Sequence, residues 1–208
     1  MIKNLIIDGD GVVINRDKRF TDRLCADYGI TKETTAPFFN EVFRDCTIGK
    51  RDLKIELARY YRSWGWKGTL EELLYFWFSK EGLRNEEMLS TIQTLRASGV
   101  ATFLATDNEK YRTDYILNEF GLGMYFDAVF SSAHVGSRKE DASFWNYVET
   151  TKGIHPPETL FWDDEHENIK VARQTGFIAE LFTDMDDFNQ KMYRHFPELR
   201  ERLSTQKR

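Results

Sequence analysis

The chain has little of several things, and each shortage narrows what it can be. Of its 208 residues only two are cysteine, Cys25 and Cys46. They show no CxxC or zinc-ligand spacing, so two reduced thiols are expected rather than a disulfide framework or a structural metal. There is no excess of basic charge: 34 Asp and Glu outweigh 29 Lys and Arg, a formal net charge of −5. Large polyanions such as nucleic acid are therefore disfavoured as partners, although a local basic patch still suits a small phosphate. No apolar run approaches membrane-spanning length, so no membrane association is expected. The first strand pattern begins almost at once, which leaves no signal peptide in view and makes a cytoplasmic protein the expectation. No internal repeat is visible. A hydrophobic share of 41% supplies a core, which excludes wholesale disorder.

What is present is a set of short apolar runs that each stop in acids or a hydroxyl. Asn4-Leu5-Ile6-Ile7 ends in Asp8-Gly9-Asp10-Gly11, Val100 to Ala105 ends in Thr106-Asp107-Asn108, and Thr159 to Trp162 ends in Asp163-Asp164. Such runs, alternating with helical patterns, read as buried parallel strands. Strands are expected at 3–8, 100–106, 127–131, 159–163 and 178–182, with helices at 85–98, 109–121, 141–152 and 166–175. Gly99, Gly121 and Gly176 stand where helices end. The class is α/β, a Rossmann-like parallel five-stranded core. Ligands of such sheets bind beyond the carboxyl ends of the strands. There Asp8, Asp10, Asp163 and Asp164 would converge, and carboxylates that close call for a cation.

One crossover is too long. Between Asp8 and Thr106 a βαβ unit needs about a dozen residues, including its helix. Residues 16–84 are surplus and read as a small helical insertion, with the core made of 1–15 and 85–208. Phe20, Leu24 and Tyr28 share a face, as do Phe38, Phe39, Val42 and Phe43, and Leu53, Leu57 and Tyr60. Leu70, Leu73, Leu74, Trp77 and Phe78 follow a Thr69–Glu72 capping box. An insertion just after the first acidic cluster either gates the site as a lid does or is a structural appendage; its position favours the lid. Tyr75, Trp77, Trp145 and Trp162 read as core.

Asp8-Gly9-Asp10-Gly11-Val12 resembles the first motif, DxDG(V/T), of the haloacid dehalogenase (HAD) superfamily. Thr106 ends a strand as that family's second-motif Ser/Thr does. Ser131-Ser132 through Gly136 to Lys139 resembles the third motif, and Asp163-Asp164 with Asn168, Ala172 and Gly176 resembles the fourth. The long insertion resembles the helical (C1-type) cap. The resemblance implies a Mg²⁺-dependent phosphatase acting on a small phosphorylated metabolite through an aspartyl-phosphate, as a monomer or homodimer. It implies Asp8 as nucleophile and Asp10 as general acid and base. Mg²⁺ would be held by Asp8, Asp163 and the Asp10 backbone carbonyl, with Asp164 in support. Thr106 and Lys139 would bind phosphate, with the Gly9 and Asp10 amides and Asp107 and Asn108 lining its cradle. A sugar phosphomutase and an idle binding protein are the alternatives; dehalogenase chemistry is disfavoured, because an acid stands at Asp10.

The family pattern is not followed everywhere. Asp107 stands where Asn is frequent, which leaves its role open, and Glu140 replaces the usual proline after the lysine. His166 beside the fourth motif reads as a solvated first-turn histidine, and Asn168 as a brace. The Thr47–Arg51 turn resembles a cap loop that reaches the site. Lys50 and Arg51, with Arg16 or Arg44, would there meet a second anionic group; the equal alternative is ordinary solvated charge.

Overall fold

A computed structural model describes residues 1–80 and 82–199. The polar, basic stretch 200–208, whose composition predicts fraying, lies outside the described residues. The chain forms β1 (Asn4–Asp8), β2 (Ile14–Arg16), α1 (Phe20–Tyr28), α2 (Lys32–Pro37), a π turn at Phe38–Val42, α3 (Phe43–Thr47), α4 (Leu53–Leu57) and α5 (Leu70–Phe78). It continues through β3 (Gly82–Arg84), α6 (Glu86–Ala97), β4 (Ala101–Thr106), α7 (Lys110–Asn118), β5 (Ala128–Ser131) and α8 (Ser132–Val135). It closes with α9 (Ala142–Lys152), β6 (Thr159–Asp163), α10 (His166–Gln174), β7 (Ile178–Leu181) and α11 (Met185–His195).

Five strands form one parallel sheet in the order β5-β4-β1-β6-β7. Every expected strand is there, displaced by at most a residue at an end. Side chains alternate across a strand, and the sheet uses both faces. Leu5, Ile7, Leu104, Leu160 and Trp162 pack with Met88, Leu89 and Ile92 of α6 and with Phe188 and Met192 of α11. Ile6, Phe103, Ala105 and Phe161 pack with Phe144, Trp145 and Val148 of α9 and with Ile169 and Ala172 of α10. Two-faced burial is why these strands are continuous apolar runs. Each such side chain contributes roughly 1.5–3 kcal/mol.

Residues 20–78 enclose an apolar cluster of their own. Phe20, Leu24, Phe38, Val42, Leu53, Leu57, Leu73, Leu74 and Trp77 are all buried in it. Phe20 stacks on Trp77 at 4.4 Å between ring centroids. The capping box of α5 forms as read: Glu72 N–H donates to Thr69 Oγ1 at 3.1 Å, and Thr69 N–H to Glu72 Oε2 at 2.7 Å.

One aromatic reading needs correction. Tyr75, read as core, is 69% exposed. It stands two residues past Leu73, roughly 200° around the helix from the buried face. Tyr28 is also exposed; its ring only edges the cluster, against Trp66 and Phe76. The structure adds an antiparallel pair, β2 with β3, that brings the entry to the helical region beside its exit. It also adds α11, which covers one face of the sheet.

Candidate active site

Sheet register brings the acidic strand ends together. Asp8 pairs with Ala105, one step before Thr106, and Ile7 pairs with Trp162, one step before Asp163. Thr106 in turn faces Ser131. Asp8 is 4% exposed and Asp163 fully buried. Asp8, Asp163 and Asp164 each place a carboxylate oxygen within 4.8 Å of the others. Lys139, 2% exposed, enters from the loop after α8. Its Nζ donates to Asp163 Oδ2 at 2.7 Å and makes a short contact with Asp8 Oδ1. Asn168 Nδ2 reaches both Asp163 oxygens at 3.1 Å, and Glu165 N–H donates to Oδ1 at 2.8 Å. Asn168 is thus placed as a brace for Asp163. Gly11 has φ +101°, and a Cβ there would collide with the Asp164 carboxylate; only glycine lets the turn after β1 pass so close.

Asp10 does not join that carboxylate group. It turns toward α7: Asn108 Nδ2 donates to Asp10 Oδ2 at 2.6 Å and to Thr106 Oγ1 at 2.6 Å. Arg112 donates to Asp10 Oδ1 at 3.3 Å. Of the residues read as metal ligands, Asp10 therefore keeps only its backbone carbonyl for that task.

Asp107, whose role the sequence left open, accepts from the Lys139 N–H at 3.1 Å and lies 3.7 Å from Arg138 Nε. Trp145 Nε1 donates to the Lys139 carbonyl at 2.9 Å. The lysine's backbone is thereby held on both sides despite Glu140 in place of proline. Glu140 accepts from Arg44 at 2.6 Å, so Arg44 is spent on a tie between the helical region and the core.

These geometries can now be set beside known proteins. The sequence profile of the haloacid dehalogenase-like hydrolases matches residues 78–179. A crystal structure of a HAD family enzyme from Bacteroides thetaiotaomicron superposes with a TM-score of 0.77 at 22% identity, covering 88% of this chain and 94% of that one. The chain thus resembles the haloacid dehalogenase-like hydrolases in sequence over about half its length, and their solved members in fold. D-ribitol-5-phosphate phosphatase of the same organism is 25% identical over 188 residues, covering 85% of this chain and 90% of its own. The sesquiterpene phosphatase of Aspergillus oryzae is 31% identical over 100 residues, and a drimenol cyclase of Aspergillus calidoustus 32% over 133. The chain spans half the length of the former and a quarter of the latter.

The charges in the site are unevenly compensated. Burial raises the Asp8 carboxyl well above its ordinary range; Lys139 opposes this, while Asp163 and Asp164 add to it. Burial alone would lower Lys139, but Asp163, Asp8 and Asp107 overcome it and hold the ammonium charged. Asp164 is raised, by burial first and then by Asp163, with Arg16 opposing. Asp10 runs the other way: burial raises it, but Arg112, Asn108 and Arg16 together carry it below the ordinary value. Asp164 Oδ1 is buried and has no hydrogen-bond partner among the described residues.

A cavity of about 760 Å³ opens in front of these groups. Asp8, Asp10, Thr106, Asp107, Asn108, Lys139 and Asp164 line its core side, and Phe20, Phe39, Phe43, Trp77 and Phe78 its opposite side. Arg16 lines it too. Lys50 and Arg51 do not. Both are exposed, and Arg51 lies 3.0 Å from Asp45 and 3.9 Å from Glu56. The turn that carries them docks instead on α8, where Ser132 Oγ donates to the Thr47 carbonyl at 2.5 Å. A Cβ at Gly49, φ +71°, would strike the Ala133 carbonyl. His166 is exposed at the start of α10.

Among the lining residues that escaped the sequence reading are Glu109, Arg112 and Arg138. Glu109 caps α7, accepting from the N–H groups of Tyr111 at 2.8 Å and Arg112 at 2.5 Å. Burial pushes its carboxyl up to about 7 against those two donors. Arg112 carried a signal. A cation in the first turn of a helix opposes the dipole, which marks a residue kept there for another reason.

Proposed function

We propose that this chain is a Mg²⁺-dependent phosphatase that hydrolyses a small phosphomonoester through an aspartyl-phosphate on Asp8. The observation that carries the reading is the division of labour between two neighbouring carboxylates. Asp8 lies among Lys139, Asp163 and Asp164, while Asp10 is turned away to Asn108 and Arg112. In this reading the first attacks phosphorus and the second handles a proton. Relatives add to it: the matched proteins include phosphatases for ribitol 5-phosphate and phosphoglycolate. A structure similar in fold, with a TM-score of 0.76, holds magnesium and inorganic phosphate.

In the first step an Asp8 oxygen attacks phosphorus, the bond from phosphorus to the ester oxygen breaks, and Asp10 gives its proton to the leaving alkoxide. In the second, Asp10 takes a proton from water, the water oxygen attacks phosphorus, and the acyl-phosphate bond breaks to return Asp8. Arg112 and Asn108 favour ionised Asp10, the form the second step needs; an arriving phosphate dianion favours the protonated form the first step needs. Thr106, Lys139, Asn108 and the Gly9 and Asp10 amides would bind the phosphoryl oxygens. Asp107 acts by holding Lys139 in place.

The donor set fits a hard cation. Asp8, Asp163 and Asp164 offer only oxygen, three carboxylates face one ammonium, and one Asp164 oxygen is without a partner among the described residues. All-oxygen ligation suits Mg²⁺ rather than zinc. Bound there, the ion would offset charge on the carboxylates and on the phosphoryl group. Residues 16–84 serve in this reading as a helical cap that closes the cavity from solvent. The test is phosphate release from a panel of phosphorylated metabolites, with and without Mg²⁺. No release from any of them, by a folded protein, overturns the proposal.

A further inference from the structure

We infer that the ester this site takes is the phosphate of an apolar alcohol, not of a sugar or polyol. The inference rests on the phosphatase reading above and concerns the half of the cavity that never touches phosphorus. That half is built by residues 16–78, and its floor is aromatic: Phe20, Phe39, Phe43, Trp77 and Phe78. These rings hold one another in place. Trp77 packs against Phe20, Phe39, Phe43 and Phe78 with centroids 4.4–5.7 Å apart. The wall is therefore fixed before a ligand arrives, which keeps the entropic cost of binding low.

The chemistry of that wall is one-sided. Among the described lining residues from 16–78 there is no carboxylate; every acid on the cavity comes from the core. The cations Arg16, Lys18, Arg19 and Lys32 are exposed, whereas Phe20, Trp77 and Phe78 are buried. A polyol needs acceptors for each hydroxyl proton. The wall offers only three such side chains, Thr21, Asn40 and Thr35, whose Oγ1 donates to the Lys32 carbonyl at 3.1 Å and keeps its accepting capacity. Hydroxyls laid against the rings would lose water and gain no partner, which is unfavourable. Alkyl or ring carbons there would only gain by leaving water. The volume, about 760 Å³, falls in the range of sites that enclose a ligand far larger than phosphate. The exposed cations would steer the anionic head inward.

The test compares esters of matched chemistry. n-Octyl phosphate, glycerol 3-phosphate and ribitol 5-phosphate all leave as primary alkoxides, so a difference in kcat/KM reports the wall. The full chain with Mg²⁺ should prefer n-octyl phosphate at least about tenfold, and Phe43→Asn should shrink that ratio. Equal or better turnover of the polyol esters overturns the inference. Should the protein hydrolyse none of them, the phosphatase reading falls and binding still decides this one. By calorimetry, n-octyl phosphonate should bind at least about tenfold more tightly than inorganic phosphate, and equal affinities overturn the inference.

Discussion

Arg112 donates with one guanidinium nitrogen to Asp10 at 3.3 Å and with the other to the Phe78 carbonyl at 2.7 Å. A single buried side chain thus joins the acid that follows β1 to the last residue of α5. Its ring neighbours, Phe78 and Tyr115, lie 5.8 and 5.7 Å from the guanidinium carbon. In a dry setting, a charge held this way is strongly felt by its partner.

Replacing Arg112 should therefore change the proton chemistry. In Arg112→Gln, burial of Asp10 is no longer offset by the first of its opposing charges, and its pKa rises. The acidic limb of the kcat–pH profile should move to higher pH, with kcat near neutrality reduced at least about tenfold. Arg112→Lys should shift it less. A loss that is uniform across pH contradicts this account.

Asp8→Asn should lower phosphate release at least about a thousandfold while the protein stays folded. Burial and the Asp163 and Asp164 charges hold Asp8 above its ordinary value, so an amide removes repulsion, and Lys139 keeps Asp163 as a partner. The melting temperature should match or exceed that of the wild type. Near-normal turnover by the folded variant would defeat the nucleophile assignment.

Exhaustive dialysis against EDTA should abolish activity, and Mg²⁺ should restore it. A readout independent of turnover is thermal stability, since a ligand of the native state raises the melting temperature. Mg²⁺ should raise it for the wild type and not for Asp163→Asn. An equal rise in both would remove Asp163 from the ligand set.

Lys50→Ala with Arg51→Ala, which the sequence alone marked as a specificity change, should leave kcat/KM within about twofold on every ester. Arg51 is drawn off by Asp45 and Glu56 on an exposed surface, where ion pairs contribute little. A tenfold loss on any substrate would return the turn to the site.

Glu109 should make stability depend on pH. Its carboxyl titrates near 4.5 when unfolded and at about 7 when folded. Between those values the native state binds the extra proton, so stability falls as pH rises through this window. The neutral Glu109→Gln lacks that term. The stability of wild type relative to Glu109→Gln should drop by about 3 kcal/mol from pH 4.5 to 7.5. Denaturant titrations at the two pH values measure it, and a flat difference refutes it.

The strands were legible because burial on both faces leaves a continuous apolar run, and the acids at their ends were legible because function stops each run abruptly. Asp8, Thr106 and Asp163 could be placed from the chain alone, since each ends one strand, whereas Lys139, on a loop, was marked only by the family motif it resembles. The C-terminal helix was legible in principle: Asp184 caps it, and Met185, Phe188 and Met192 share a face. The β2–β3 pair was not, because three-residue strands carry too little pattern and depend on a partner nearly seventy positions away.

What depended on tertiary structure were the questions of direction. The sequence placed Asp10 among the metal-side acids; the fold turns it to Arg112, a residue a hundred positions on. The cap-loop resemblance of their turn made Lys50 and Arg51 either anion receptors or solvated charges; packing of Gly49 against the Ala133 carbonyl leaves them outside the cavity, and Arg51 on Asp45 and Glu56. Periodicity assigned Phe39, Phe43 and Trp77 to a helical core without showing that one edge of that core faces the site. Local pattern records whether a side chain prefers to leave water. Which neighbour it then meets is decided by register and loop closure, which act between distant parts of the chain.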